Sequence, residues 1–168
     1  MAHVKDITSY LRVLVNPKSD VDLLRIINTP ARGIGSTTLE RLAAWATASK
    51  KSVFEALHAS DAIAELGSAP KKKLAAFRAL MDELARDARE VHDGGSVRPA
   101  SMLRKILDDT GYLNILRQEN TAEADARIEN LEELVSSVVD FEVEAEAAGE
   151  APTLQGYLER VSLQSDVD

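Results

Sequence analysis

The chain has 168 residues, enough for one domain with a substantial core, and 45% of them are apolar. No stretch approaches the roughly 18 apolar residues of a membrane span. The start Met1-Ala2-His3-Val4-Lys5-Asp6 has no signal-type core and there is no cysteine, so a cytoplasmic protein without disulfides, thiol catalysis or thiolate metal sites is expected. The net charge of −8 argues against a general nucleic-acid coat, but residues 1–54 hold eight Lys/Arg against four Asp/Glu, leaving −12 for the remainder. Phosphate is therefore expected to be met by the N-terminal third and repelled by residues 119–150, where eleven acids face only Arg127.

Apolar residues recur at helical spacing almost throughout, and no stretch alternates long enough for a sheet. The expectation is an all-α, irregular multi-helix domain spanning 1–168. Ile7, Tyr10, Leu11 and Leu14 form one face of a first helix ended by Asn16-Pro17. Val21, Leu24 and Ile27 predict a short second one, stopped by Asn28-Thr29-Pro30. A third starts after Arg32-Gly33-Ile34-Gly35, where Thr37 and Glu40 have capping-box spacing, and carries Leu39, Leu42, Ala43 and Ala46. Trp45 lies in that packing register and is read as core. Val53, Phe54 and Leu57 mark a fourth, and Ser68-Ala69-Pro70 opens a long fifth through Leu74, Phe77, Leu80, Met81, Leu84 and Val91 to Asp93-Gly94-Gly95-Ser96.

Pro99 then stands where helices start, ahead of Met102, Leu103, Ile106 and Leu107, with a break at Asp109-Thr110-Gly111 and a short turn from Tyr112. Thr121 to about Ala148 predicts a long amphipathic helix on Ile128, Leu131, Leu134, Val135, Val138 and Phe141, with an acidic outer face. Leu154, Tyr157, Leu158 and Val161 make the last one. Arg127 has the spacing to pair with Glu123.

The chemistry concentrates in Arg32-Gly33-Ile34-Gly35-Ser36-Thr37-Thr38. Two glycines let the backbone turn sharply and approach another molecule, Ile34 can anchor the turn, and the following helix presents free N–H groups and a positive dipole end. The hydroxyls of Ser36, Thr37 and Thr38 and the charge of Arg32 would complete a phosphate site that reads no base identity. On residues alone this stands beside a plain structural turn capped by Thr37. Lys71-Lys72-Lys73, at a helix start, fit either a phosphate contact or a solvated face. His3, His58 and His92 are scattered and predict no metal site. Without a Gly-x-x-x-x-Gly-Lys-[Ser/Thr] loop, no ATP hydrolysis by this chain is expected.

The run Leu23-Leu24-Arg25-Ile26-Ile27-Asn28-Thr29-Pro30-Ala31-Arg32-Gly33-Ile34-Gly35 resembles the start of the 2B subdomain in UvrD/Rep/PcrA-type superfamily 1 helicases. Val4-Lys5-Asp6-Ile7 with Tyr10-Leu11-Arg12, Thr110-Gly111-Tyr112-Leu113, Ala126-Arg127-Ile128-Glu129-Asn130-Leu131-Glu132-Glu133-Leu134 and the closing Leu163-Gln164-Ser165-Asp166-Val167-Asp168 are similar to other parts of that segment, whereas Met1-Ala2-His3 match nothing and are expected to be foreign to it. The resemblance implies a helical module of an ATP-dependent 3'-5' DNA helicase. Arg32, Gly33, Ile34, Gly35, Ser36, Thr37 and Thr38 would contact duplex or junction DNA, with no catalytic, cofactor or metal residue in this chain. ATP and Mg would belong to the parent motor, and the partners would be DNA, the rest of that motor and DNA-repair accessory proteins.

Two other readings follow from the same residues. One is a protein-interaction and autoinhibitory lobe that docks on the motor core or an accessory factor. The other is a DNA-repair enzyme, since Gly-Ile-Gly before a helix is also similar to helix-hairpin-helix glycosylases. That enzyme needs a catalytic aspartate, for which Asp61 is the nearby candidate, and Ser36-Thr37 stand where it would carry a lysine.

Overall fold

The computed structural model describes residues 2–167, with side chains over 4–164. The side chains of Met1-Ala2-His3 and of 165–168 lie outside the described residues. Among the described residues the chain is all-helical: α1 (Ala2–Val15), α2 (Asp20–Ile26), α3 (Ser36–Ala48), α4 (Val53–His58), α5 (Ser68–His92), α6 (Pro99–Asp109), α7 (Tyr112–Glu119), α8 (Ala122–Ala147) and α9 (Leu154–Val167), with a 3-10 turn at Ser60–Ala62. Among them, too, no helix is long and apolar enough to cross a membrane.

The centre of the molecule is α1. Ile7, Tyr10 and Leu11, at i, i+3 and i+4, are fully buried together with Val13, so α1 is apolar on more than one side and packs against α2, α5, α6, α8 and α9. Each such side chain contributes about 1.5–3 kcal/mol by burial. The long α5 presents Leu74, Phe77, Met81, Leu84, Ala88 and Val91 inward at alternating steps of three and four, and α8 does the same with Leu131, Leu134, Val135 and Val138. Both faces are those that the apolar spacing predicts.

Local chemistry sets the helix starts. Ser52 Oγ accepts from Glu55 N at the start of α4, and Thr121 Oγ1 from Ala124 N at the start of α8. Pro99 occupies the first turn of α6, and the buried carboxylate of Glu142, on α8, accepts from Ala100 N at 2.7 Å and Arg98 Nε at 3.1 Å. One acid on the predicted solvent face of α8 is thus an internal tie between helices.

Two expectations are corrected. The buried face of α2 is Leu23 and Ile26, with Ile27 just beyond, while Val21 is 82% exposed and Leu24 39%. Spacing alone fits either face. The rotation is set by Asp20 Oδ1, which accepts Val53 N at 2.9 Å, and by Asp22, which takes the hydroxyls of Ser9 and Ser19. The expected Glu123–Arg127 pair is also absent from the ion pairs formed among the described residues; both side chains are exposed, where such a pair is worth only about 0.3–0.5 kcal/mol.

Candidate nucleic-acid interface

The connection between α2 and α3 is held from inside. Asn28 Nδ2 donates to Ile34 O at 2.6 Å while Asn28 Oδ1 accepts Ile34 N at 3.1 Å and Arg32 N at 3.4 Å. One side-chain amide thus satisfies both polar groups of Ile34, whose side chain is 4% exposed and plugs the loop into the core. Between these ties Gly33 adopts φ +72°, the left-handed conformation that favours glycine.

Arg32 points inward. Its guanidinium donates to Ile26 O at 2.7 Å and Ile27 O at 3.0 Å, the carbonyls that end α2, and to the hydroxyl of Tyr10. It lies 4.8 Å from the centroid of the Phe77 ring and 5.9 Å from that of Tyr10, so two aromatic faces hold the cation. The Tyr10 hydroxyl in turn donates to Thr29 O. Burial raises the Tyr10 pKa, and the neighbouring guanidinium opposes that rise. The charge expected at the surface of the turn is thus used as a C-terminal cap on α2 and a bridge to α1 and α5.

The helix start is where the loop opens outward. The N-cap of α3 is Gly35, with extended backbone and no side-chain cap. The capping box expected from Thr37 and Glu40 does not form, because the N-cap is Gly35, two residues earlier, and Thr37 lies inside the first turn. The N–H groups and hydroxyls of Ser36, Thr37 and Thr38 have no hydrogen-bond partner within the described protein, and there is no acid in the first turn. A Cβ added at Gly35 would meet nothing within 4 Å. The fold therefore does not require glycine there, whereas it does at Gly33.

The start of α5 comes to the same place. Lys73 and Phe77 are one turn apart, so when Phe77 supports Arg32, Lys73 reaches the loop above it; Lys73 Nζ donates to Gly33 O at 3.1 Å. Lys71 Nζ donates to Asp61 O at 3.1 Å, and Arg41, on α3, to Glu65 O at 2.7 Å. The sequence singles out Lys71-Lys72-Lys73 by charge but does not place them beside a turn some 40 residues away. Nor does it reveal Asn28 and Tyr10 as parts of the turn, since spacing shows only a helix stop and a core residue.

A profile of the UvrD-like helicase C-terminal domain matches residues 2–168. The chain belongs to that family. It is 34% identical over 165 residues to the ATP-dependent DNA helicase PcrA of Bacillus subtilis, covering 98% of this chain and 21% of that protein. To the PcrA of Staphylococcus aureus (strain Mu50) it is 32% identical over 167 residues, with the same coverage, and to that of Staphylococcus epidermidis 31% over 165 residues. The chain thus spans about a fifth of the length of these relatives.

In this UvrD-like domain the remaining candidates stand apart from the turn. Asp61 lies exposed in the 3-10 segment, where its own carbonyl accepts Lys71. His58 Nε2 sits 2.8 Å from Asp82 Oδ1 and its Nδ1 3.0 Å from Phe54 O, tying α4 to α5. His92 is exposed, and His3 falls outside the described side chains. Among the described residues no group of three or more His, Asp or Glu is arranged to hold a metal. Trp45 is half-buried against the core, as its register predicts.

Proposed function

We propose that this chain is the 2B-type subdomain of an ATP-dependent 3'-5' DNA helicase acting in the cytoplasm, and that it engages the duplex near the unwinding junction through backbone phosphates, without sequence preference. ATP and magnesium are bound by the motor part of the parent protein, which is its main partner besides DNA. The observation that carries the reading is the α2–α3 turn. It presents uncapped amides and hydroxyls of Ser36, Thr37 and Thr38 next to a glycine whose missing side chain leaves open space, a combination suited to an approaching anion. The family relationship to DNA helicases supports it.

Gly33 and Ile34 shape this surface, Gly35 admits the phosphate, and Ser36, Thr37 and Thr38 touch it; Arg32 holds the turn in place. The test is fluorescence anisotropy of a labelled hairpin with a single-stranded tail. Binding should weaken steeply with salt, and Thr37→Glu, which sets an anion where the phosphate would lie, should abolish it while leaving the thermal melt unchanged. Equal binding by wild type and Thr37→Glu would make the turn a purely structural feature.

A second reading, a lobe docking on the motor or an accessory factor, draws on the groove between α1 and α9, where Val15 is 38% and Leu163 68% exposed. Capture of the motor core by this chain in the absence of any DNA binding would favour it.

A further inference from the structure

The short α4 is fastened at both ends. At its start Asp20 Oδ1, from α2, accepts Val53 N at 2.9 Å. At its end stands His58, the last residue of the helix. Its Nε2 lies 2.8 Å from Asp82 Oδ1 on α5, and its Nδ1 lies 3.0 Å from Phe54 O, one turn back. The Phe54 ring packs on the imidazole, with centroids 4.6 Å apart, and keeps it in this pose.

Both ring nitrogens therefore face oxygens that bring no hydrogen of their own. A neutral imidazole has one N–H and one lone pair, so it serves one of these acceptors and turns a lone pair toward the other. The arrangement is complete only when the ring carries both protons. Its place at the C-terminal end of a helix and the carboxylate beside it both favour that charge.

Among the described residues, Asp82 is the carboxylate that pairs with the ring. Arg78 and Arg86, one turn to either side of Asp82 on α5, form no ion pair with it, and Glu55 and Asp61, three residues to either side of His58, form none with the ring. The charged groups of α2 and α3, which also pack on α4, are engaged elsewhere: Asp22 takes the hydroxyls of Ser9 and Ser19, Arg25 pairs with Asp6, and Arg41 donates to Glu65 O.

The helices that α4 spans give this contact its consequence. Arg32 joins α2 to α5 beneath the turn, through the carbonyls of Ile26 and Ile27 and the face of Phe77. From Asp20 to Asp82, α4 joins the same two helices by a second route. We propose that His58 makes this second route depend on a proton. Doubly protonated, the ring holds α4 to α5 and stiffens the support of the turn. After losing one proton it keeps a single uncharged contact, and α4 loosens. The tie is whole below the ordinary imidazole range, about 6.5, and is lost as pH rises through it, because the closed arrangement requires that proton.

The test is amide hydrogen exchange, read by NMR on the full 168-residue chain without DNA. It runs from about one pH unit below that range to about one above it, with rates corrected for the intrinsic pH dependence of exchange. Protection of the Leu57 and His58 amides should fall by about two- to fivefold as pH rises, the scale open to a solvent-screened pair. The Ile34 amide, held by Asn28 Oδ1, should lose protection in the same direction. His58→Gln, which donates to Asp82 but never takes up the proton, should show the lower protection at every pH. Asp82→Asn should flatten the profile, whereas His92→Gln, which changes an exposed ring outside this contact, should keep it. A flat wild-type profile, or a wild-type slope that survives in His58→Gln, overturns the proposal. Loss of α4 protection with an unchanged Ile34 amide does so too, since the second route would then not reach the turn.

Discussion

The side-chain amide of Asn28 pairs with the backbone of Ile34 in both directions, donating to its carbonyl and accepting from its N–H. This pairing replaces a missing stretch of regular structure. It fixes the two glycines on either side of Ile34 without a cap from the helix that follows.

Asn28→Ala should therefore destabilise the chain by about 1–3 kcal/mol, the cost of leaving a buried donor and acceptor unsatisfied. Asn28→Asp retains the acceptor but places a carboxylate against the Ile34 carbonyl, and should be no better. Chemical denaturation of both variants checks this. DNA affinity should fall in step with the loss of turn order.

Arg32→Met should cost about 1.5–3 kcal/mol, because the carbonyls of Ile26 and Ile27 lose a charged donor and the Phe77 face loses its cation. Arg32→Lys should recover only part of it, since an ammonium cannot fork between two carbonyls and a hydroxyl. With binding measured on the folded fraction only, both variants should keep the wild-type salt slope. A slope shallower by about one would show that Arg32 meets phosphate directly.

The two glycines should separate stability from binding. Gly33→Ala forces a side chain into φ +72° and against Lys73, and should lower stability by about 1–2 kcal/mol. Gly35→Ala meets no atom at φ −75°, and should cost at most about 1 kcal/mol, because alanine is a poorer N-cap than glycine. It should nevertheless weaken hairpin binding by roughly tenfold, the equivalent of one hydrogen bond. Thermal melts and anisotropy on the same samples decide it, and unchanged binding by Gly35→Ala would remove the close-approach role.

Alkaline pH should unfold the chain through its tyrosines. Burial is the main cause that pushes Tyr112 from 10.0 up to about 12, with Asp6 adding to it, and Tyr10 and Tyr157 are raised in the same direction. Below pH 10 folded and unfolded phenols are both protonated, so they add no pH dependence. As pH climbs from 10 to about 12 the unfolded phenols ionise first, and the stability contributed by the protonated folded forms is progressively lost. Denaturation midpoints should fall across that window, less steeply in Tyr112→Phe, and phenolate absorbance should rise together with unfolding.

Much of the architecture is legible in the sequence because long amphipathic helices announce themselves. The inward faces of α5 and α8 follow directly from Leu74 to Val91 and Leu131 to Val138. Short elements are ambiguous. In α2 the residues Val21 and Leu24 have the same spacing as Leu23 and Ile26, and only the contacts of Asp20 and Asp22 with other helices choose between them. The turn is visible through its glycines, but the direction of Arg32 is not, since it depends on Tyr10 and Phe77, both distant in sequence. The approach of Lys73 to Gly33 is hidden for the same reason.

A single guanidinium joins α1, α2 and α5 immediately beneath the turn. Force applied at the turn is therefore not absorbed by a yielding loop. It passes through Arg32 into the three helices and moves the whole body at once. On the proposed phosphate reading, a duplex pressing on the turn would meet a braced edge of the domain and not a free loop.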